Sequence, residues 1–182
     1  MKLYRFSPIK NKGELFKAIE HIHFSSYKLS KNSFDKYLPN AGNIGVFCHY
    51  NEEYNYLVKV RKELTEESDN INQKYYRLLK PITINAQWDD IPTTTYTHLY
   101  IRKPDPYRYQ VGDIDFYLKP EEYKDLKKTM LNGSMVKGAR IFDRKDLDMI
   151  ELYDPDIDVL AYVSTKKMSA AVRVKLSDAT KL

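Results

Sequence analysis

The sequence predicts an α+β fold: a single domain over 1–182, with a mixed or largely antiparallel sheet and about three helices. Three observations carry that prediction. Segments from Lys12 to Leu29 and from Pro120 to Leu131 space apolar residues at helical intervals, and another helical pattern opens at Asn51. Around them lie short runs rich in Tyr, Thr and Ile, broken by Pro81 and Pro92, as expected of strands. A composition of 42% hydrophobic and 30% charged residues over 182 positions suits one buried core under a charged surface.

Taken in order, KLYRFSPI alternates before Pro8 and predicts a first strand. Leu15, Ile19, Ile22 and Tyr27 then line one helical face, and SKNSFDKYLPNAGN reads as the loop that follows. IGVFCH, 44 to 49, predicts a buried strand. Asn51 then serves as a helix N-cap, with Glu52 and Glu53 in the first turn, where negative charge suits the helix dipole. KYYRLLK, ITINA, TTYTHLYI and DIDFYL predict four further strands. Pro120 opens a helix that Asn132 and Gly133 end. ARIF, MIELY and VLAYVST read as closing strands, and the chain from about 170 is a strand or a loose basic tail.

Several function classes drop out. The longest apolar stretches, such as VLAYV at 159 to 163, fall short of the roughly 20 residues of a membrane helix, and MKLYRFSPIK lacks a signal-peptide core. The expected location is cytoplasmic, with no membrane partner. Cys48 is the single cysteine, so no intrachain disulfide forms and reducing surroundings fit. None of the six glycines forms a phosphate-cradling loop.

The net charge of +5 points to nucleic acid or another polyanion as partner, and the charge is uneven. Residues 143 to 158 carry seven acids against Arg144 and Lys145, while the chain beyond is basic. The leading expectation is a binding protein for nucleic acid or another phosphorylated partner, working through YIRKPDPYRYQ at 100 to 110. There Tyr100, Tyr107 and Tyr109 would stack on unpaired bases while Arg102, Lys103 and Arg108 neutralise phosphates, aided by Lys166, Lys167, Arg173 and Lys175. The alternative for the same loop is rings packed under a sheet with solvated cations.

Two other functions compete. A metal-dependent phosphodiester hydrolase would draw ligands for magnesium or manganese from Asp113, Asp115, Asp143, Asp146, Asp148 and Glu151; otherwise no cofactor is expected. A non-enzymatic interaction or assembly protein would use exposed tyrosines at a protein interface. As catalytic candidates, Cys48 and His49 end a strand just before a helix, where the helix N-terminus lowers a thiol pKa. Adjacent strand residues point to opposite faces, however, so a small buried cysteine is the plainer account.

DPDID, Asp154 to Asp158, has the first, third and fifth ligand spacing of a calcium loop. Val159 stands where that loop needs glycine and Thr165 where it needs glutamate, so the stretch reads as a turn and a strand edge, with Asp156 and Asp158 outward. His21 and His23 lie roughly 200° apart on a helix and cannot share a metal: His23 belongs at the core edge and His21 in solvent. His98 is a lone strand histidine.

Overall fold

A computed structural model describes residues 4–86 and 90–174. Its elements run α1 (Lys12–Phe34), β1 (Asn40–Phe47), α2 (Asn51–Leu64), β2 (Tyr76–Ile84), β3 (Thr94–Arg102), β4 (Gly112–Leu118), α3 (Pro120–Leu131), β5 (Ala139–Arg144), β6 (Leu147–Asp154), β7 (Ile157–Thr165) and α4 (Lys166–Ala171). The strands form one seven-stranded sheet in the order β2-β3-β1-β4-β7-β6-β5. It is mixed: β1 pairs parallel with β3, and β4 with β7, while the other neighbours are antiparallel. The α+β class therefore holds.

Strand alternation gives this sheet two unlike faces. Ile44 and Val46 of β1, Leu99 and Ile101 of β3, Ile114 and Phe116 of β4, and Ala161 and Val163 of β7 form the apolar face. Leu15, Ala18, Ile19 and Ile22 of α1 cover it, being three or four residues apart and so on one stripe. Helices α2 and α3 share that side. Lys12 of α1 pairs with Glu63 of α2 at 2.7 Å, and Tyr123 of α3 donates to Asp148 of β6 at 2.7 Å. The opposite face carries His98, Tyr100, Asn43, Gly45, Asp113, Asp115, Tyr162 and Glu151, and the short helix α4 lies across it.

Several elements differ from expectation for local reasons. No strand forms at 4–9: Phe6 takes φ 67, in the left-handed region that breaks an extended run, and Ile9 N instead donates to Glu53 Oε1 at 2.8 Å. Helix α1 continues through Phe34, where Asp35 at φ 54 caps it and its N–H reaches Lys31 O. KYYRLLK and ITINA merge into β2, which tolerates Pro81 because it is an edge strand with an irregular register between Arg77 and Ile82. Helix α4 is a fourth helix, between the expected last strand and the strand or tail expected from about 170. Thr165 caps it by accepting from Met168 N at 3.2 Å. The remainder of the expected tail, including Lys175, lies outside the described residues.

Candidate functional site

Two carboxyls at alternate positions of β4 form the floor of a cleft on the polar face. Asp113 is 6% exposed and Asp115 1%. Neighbouring strands make room for them in different ways. A Cβ at Gly45 would sit 2.1 Å from Asp113 Oδ1, so only glycine on β1 lets that carboxyl lie over the strand. Beside Asp115, Asn43 Nδ2 donates to Oδ2 at 2.6 Å and to Ser169 O at 2.7 Å. The orientation of the Asn43 amide is fixed, because its Oδ1 accepts from Arg173 Nε at 2.8 Å.

The cleft has a volume of about 250 Å³, and its walls come from distant parts of the chain. Phe47, Tyr100 and Arg102 stand on one side, Lys74 and Tyr75 at its end, and Phe142, Met149 and Tyr162 opposite. Tyr75 OH approaches Asp113 Oδ1 at a long 3.4 Å. Further along the face, Glu151 is 0% exposed. It accepts from Arg140 Nε at 2.8 Å and from Arg140 Nη2, from Tyr162 OH at 3.0 Å, and lies 3.5 Å from Arg108 Nη1.

Burial disfavours the ionised form of each floor carboxyl. It pushes Asp113 up to about 6, with Lys74, Arg102, the Tyr75 hydroxyl and Arg108 pulling the other way. Asp115 rises to about 7 through burial and the neighbouring Asp113, against the Asn43 hydrogen bond, Lys74 and Arg173. Asp113 faces the cleft and its cations, and Asp115 lies beneath α4, so the two neighbouring carboxyls titrate as a pair. Burial pushes Tyr75 up together with Asp113 and Asp115, and Tyr162 up together with Asp113 and Glu151, while Tyr100 rises to about 12, chiefly through burial. All three remain neutral hydroxyls.

The expected basic loop is folded onto its own protein. Arg102 Nη2 pairs with Asp105 Oδ2 at 2.6 Å and stacks over Phe47, 4.7 Å from its centroid. Lys103 Nζ stands 5.9 Å from the Tyr54 centroid. Tyr100 packs on Tyr75 with centroids 5.2 Å apart, and Arg108 turns toward Glu151. Tyr107 is exposed at the loop tip, and Tyr109 is only just exposed. Only three of the sixteen tyrosines, Tyr107, Tyr109 and Tyr153, are exposed, which leaves little for the tyrosine-interface expectation.

The expected metal ligands are dispersed. Asp143 and Asp148 both bind Lys127 Nζ at 2.7 Å on the α3 side, and Asp146 is exposed in the turn between β5 and β6. Glu151 is held by arginines, and no group of three acids, histidines or cysteines fit for a metal occurs among the described residues. Cys48 is buried on the apolar face, where desolvation and Glu53 push its thiol up rather than down, so it is no nucleophile. His49 bonds Ser7 Oγ through Nδ1 at 2.7 Å and stacks on Tyr4, away from the cleft.

The other histidines and DPDID have structural partners. His23 is buried with Nδ1 2.9 Å from Tyr96 OH, and burial lowers it to about 4. His21 is not solvated as expected: it meets Asp158 at 2.6 Å, and Arg5 binds the same carboxylate at 2.7 Å. DPDID is the β6–β7 hairpin turn, with Asp156 N donating to Asp154 Oδ1 at 2.9 Å. Asn43, Gly45, Lys74, Tyr75 and Tyr162 are site residues that the sequence reading missed. A glycine inside an apolar strand, as at Gly45, is the one local signal that marks close approach.

No family model and no curated protein matches the sequence. Among solved structures, a structural-genomics protein named EC4020 aligns over 94% of this chain and 97% of its own, at 14% identity and TM-score 0.56. That likeness shows a shared fold and nothing of function. A methylmalonyl-CoA epimerase of Streptomyces coelicolor in complex with 2-nitronate-propionyl-CoA covers 70% of this chain and 98% of its own, at 16% identity and TM-score 0.29. A methylmalonyl-CoA epimerase in complex with methylmalonyl-CoA and NH4+ scores 0.28 at 16% identity, over 70% of this chain and 95% of its own. Scores this low carry no argument.

The leading expectation is corrected on these grounds. A nucleic-acid or phosphate surface needs cations and rings free to meet a polyanion. Here Arg102 is paired with Asp105, Arg108 turns into the cleft toward Glu151 and away from the outer surface, and Tyr100 packs inward. The hydrolase expectation falls with its dispersed carboxylates.

Proposed function

We propose that the polar-face cleft is a small-molecule site in which Asp113 and Asp115 act together as a proton donor and acceptor. One observation carries this reading: two buried carboxyls side by side, with pKa values near 6 and 7, at the floor of a cleft open to solvent. Proton transfer is most effective when the group titrates near the working pH, and burial plus a like-charged neighbour is how carboxyls reach that range. Asp113, nearer the opening, takes a proton from the ligand. Asp115 shares it, and Asn43 and Arg173 hold Asp115 in place.

The volume bounds the ligand. A cleft of about 250 Å³ suits a molecule of modest size. Phe47, Phe142 and Met149 offer an apolar wall, while hydroxyls and cations supply orientation, as in small-molecule sites generally.

The test is direct. Carbon-13 NMR of the aspartate side chains should find two coupled carboxyls titrating between about pH 5 and 8. In the D113N variant, Asp115 should titrate at lower pH, because its like-charged neighbour is gone. Two carboxyls titrating near 4, independently of each other, would reduce the pair to ordinary surface acids and end the proposal.

A further inference from the structure

We infer that the ligand of this cleft is a small organic anion, received by Arg108 and Lys74; the inference rests on the cleft being a small-molecule site and adds the charge of what enters. Four cations, Lys74, Arg102, Arg108 and Arg144, line the cleft beside two carboxyls, Asp113 and Asp115. Positive charge is in excess even when every carboxyl is ionised. A low-dielectric cleft of that balance favours a negative guest.

The commitments of the cations decide which of them are available. Arg102 is tied to Asp105 at 2.6 Å and to the Phe47 ring, and Arg173 to Asn43 at 2.8 Å and to Ala41 O at 3.3 Å. Arg140 forms the tight pair with Glu151, and Arg144 stacks over the Phe142 ring, 4.5 Å from its centroid. Arg108 is different. Its Nη1 lies 3.5 Å from Glu151 Oε2, a loose contact with a carboxylate already satisfied by Arg140 and by Tyr162 OH at 3.0 Å. Removing Arg108 therefore leaves no orphaned buried charge, the usual cost of breaking such a pair.

Lys74 has no carboxylate within 4.0 Å among the described residues. Its ammonium stands 5.3 Å from the Tyr100 centroid, and its backbone N–H is anchored on Arg173 O at 2.9 Å. The backbone is fixed while the charge remains unspent. Arg108 enters the same cleft from the loop after β3, held there by the turn in which its N–H reaches Asp105 O at 3.1 Å. A carboxylate bound between these two cations would place its apolar body against Phe47, Phe142 and Met149 and its neighbouring atoms over Asp113.

Calorimetric titration of the full chain with benzoate and succinate, beside the neutral isosteres benzamide and succinamide, tests this. At least one carboxylate should bind ten times or more tighter than its amide. R108Q and K74M should each reduce carboxylate affinity about tenfold while leaving amide affinity unchanged. The melting temperature separates binding from architecture: R108Q should melt within a few degrees of the native chain, whereas R140Q should melt distinctly lower. Equal affinity for acids and amides, no binding by either carboxylate, or an R108Q loss of stability equal to that of R140Q would each overturn the inference. None of these outcomes alters the titration of Asp113 and Asp115, on which the underlying reading stands or falls.

Discussion

At the scale of single residues, Asp113 and Gly45 are one device made from two positions. The carboxyl occupies the space a side chain at 45 would fill, 2.1 Å from the ideal Cβ, and glycine in a strand is otherwise unfavourable by about 0.5 to 1 kcal/mol relative to alanine. Gly45→Ala should therefore destabilise the native chain by about 1 to 3 kcal/mol, because Asp113 must leave its place or the strands must part. In a D113A background the same change should be neutral or stabilising. Urea unfolding of the four variants in that cycle should give a coupling of at least about 1 kcal/mol. A cycle that closes near zero would mean that the glycine serves only the backbone.

At the scale of elements, the β6–β7 hairpin shows how far local sequence reading reaches. DPDID was legible as a turn because Asp154 before Pro155 suits one on short-range grounds, and Asp156 N does meet Asp154 Oδ1 at 2.9 Å. Replacing Asp154 by alanine should cost about 1 kcal/mol in urea unfolding, and millimolar calcium should leave the melting temperature of the native chain unchanged. A calcium-dependent rise would restore the loop that the missing glycine and glutamate exclude. Asp158 was not legible in the same way. Its partners, Arg5 and His21, lie more than a hundred residues away, and an outward strand position looks the same in sequence whether it meets water or a distant arginine. Helix α4 escaped for a related reason: six residues give too little periodicity to read, and packing on β1, β4 and β7 decides their conformation.

At the scale of the whole molecule, the sheet has a face for the core and a face for the site, and strand alternation by itself puts Asp113 and Asp115 on one side and no more. Whether that side meets water or a buried cleft depends on β4 lying between β1 and β7, a neighbourhood assembled from residues 40 to 165. So the acids and the loop arginines were singled out separately, and their joint location was invisible. That burial has a consequence for the fold as a unit. Both carboxyls sit above their unfolded value of 3.8 because desolvation favours the neutral form, so between about pH 4 and 7 the native chain holds protons that the unfolded chain has released. Their contribution to stability is complete below about pH 4 and is lost as pH rises through about 6 to 7. The cations Lys74, Arg102, Arg108 and Arg173 face the pair, Tyr75, Tyr100 and Tyr162 stay neutral, and His98, lowered to about 4 by burial, Arg173 and Arg77, is neutral as well. Asp148 works in the opposite sense, held low by Lys127 and Tyr123 against its partial burial, but its loss falls below about pH 4. The pair alone should thus favour the native state at pH 5 over pH 8, one pKa unit being about 1.4 kcal/mol, while His23 and His98, each lowered to about 4, act in the opposite sense below about pH 6.5. Other titrating groups contribute equally to the D113N/D115N double variant, so the difference between the two calorimetric profiles isolates the pair. That difference should vanish below about pH 4 and grow through neutrality in favour of the variant, whereas parallel profiles would show that the two acids do not carry their proton into the fold.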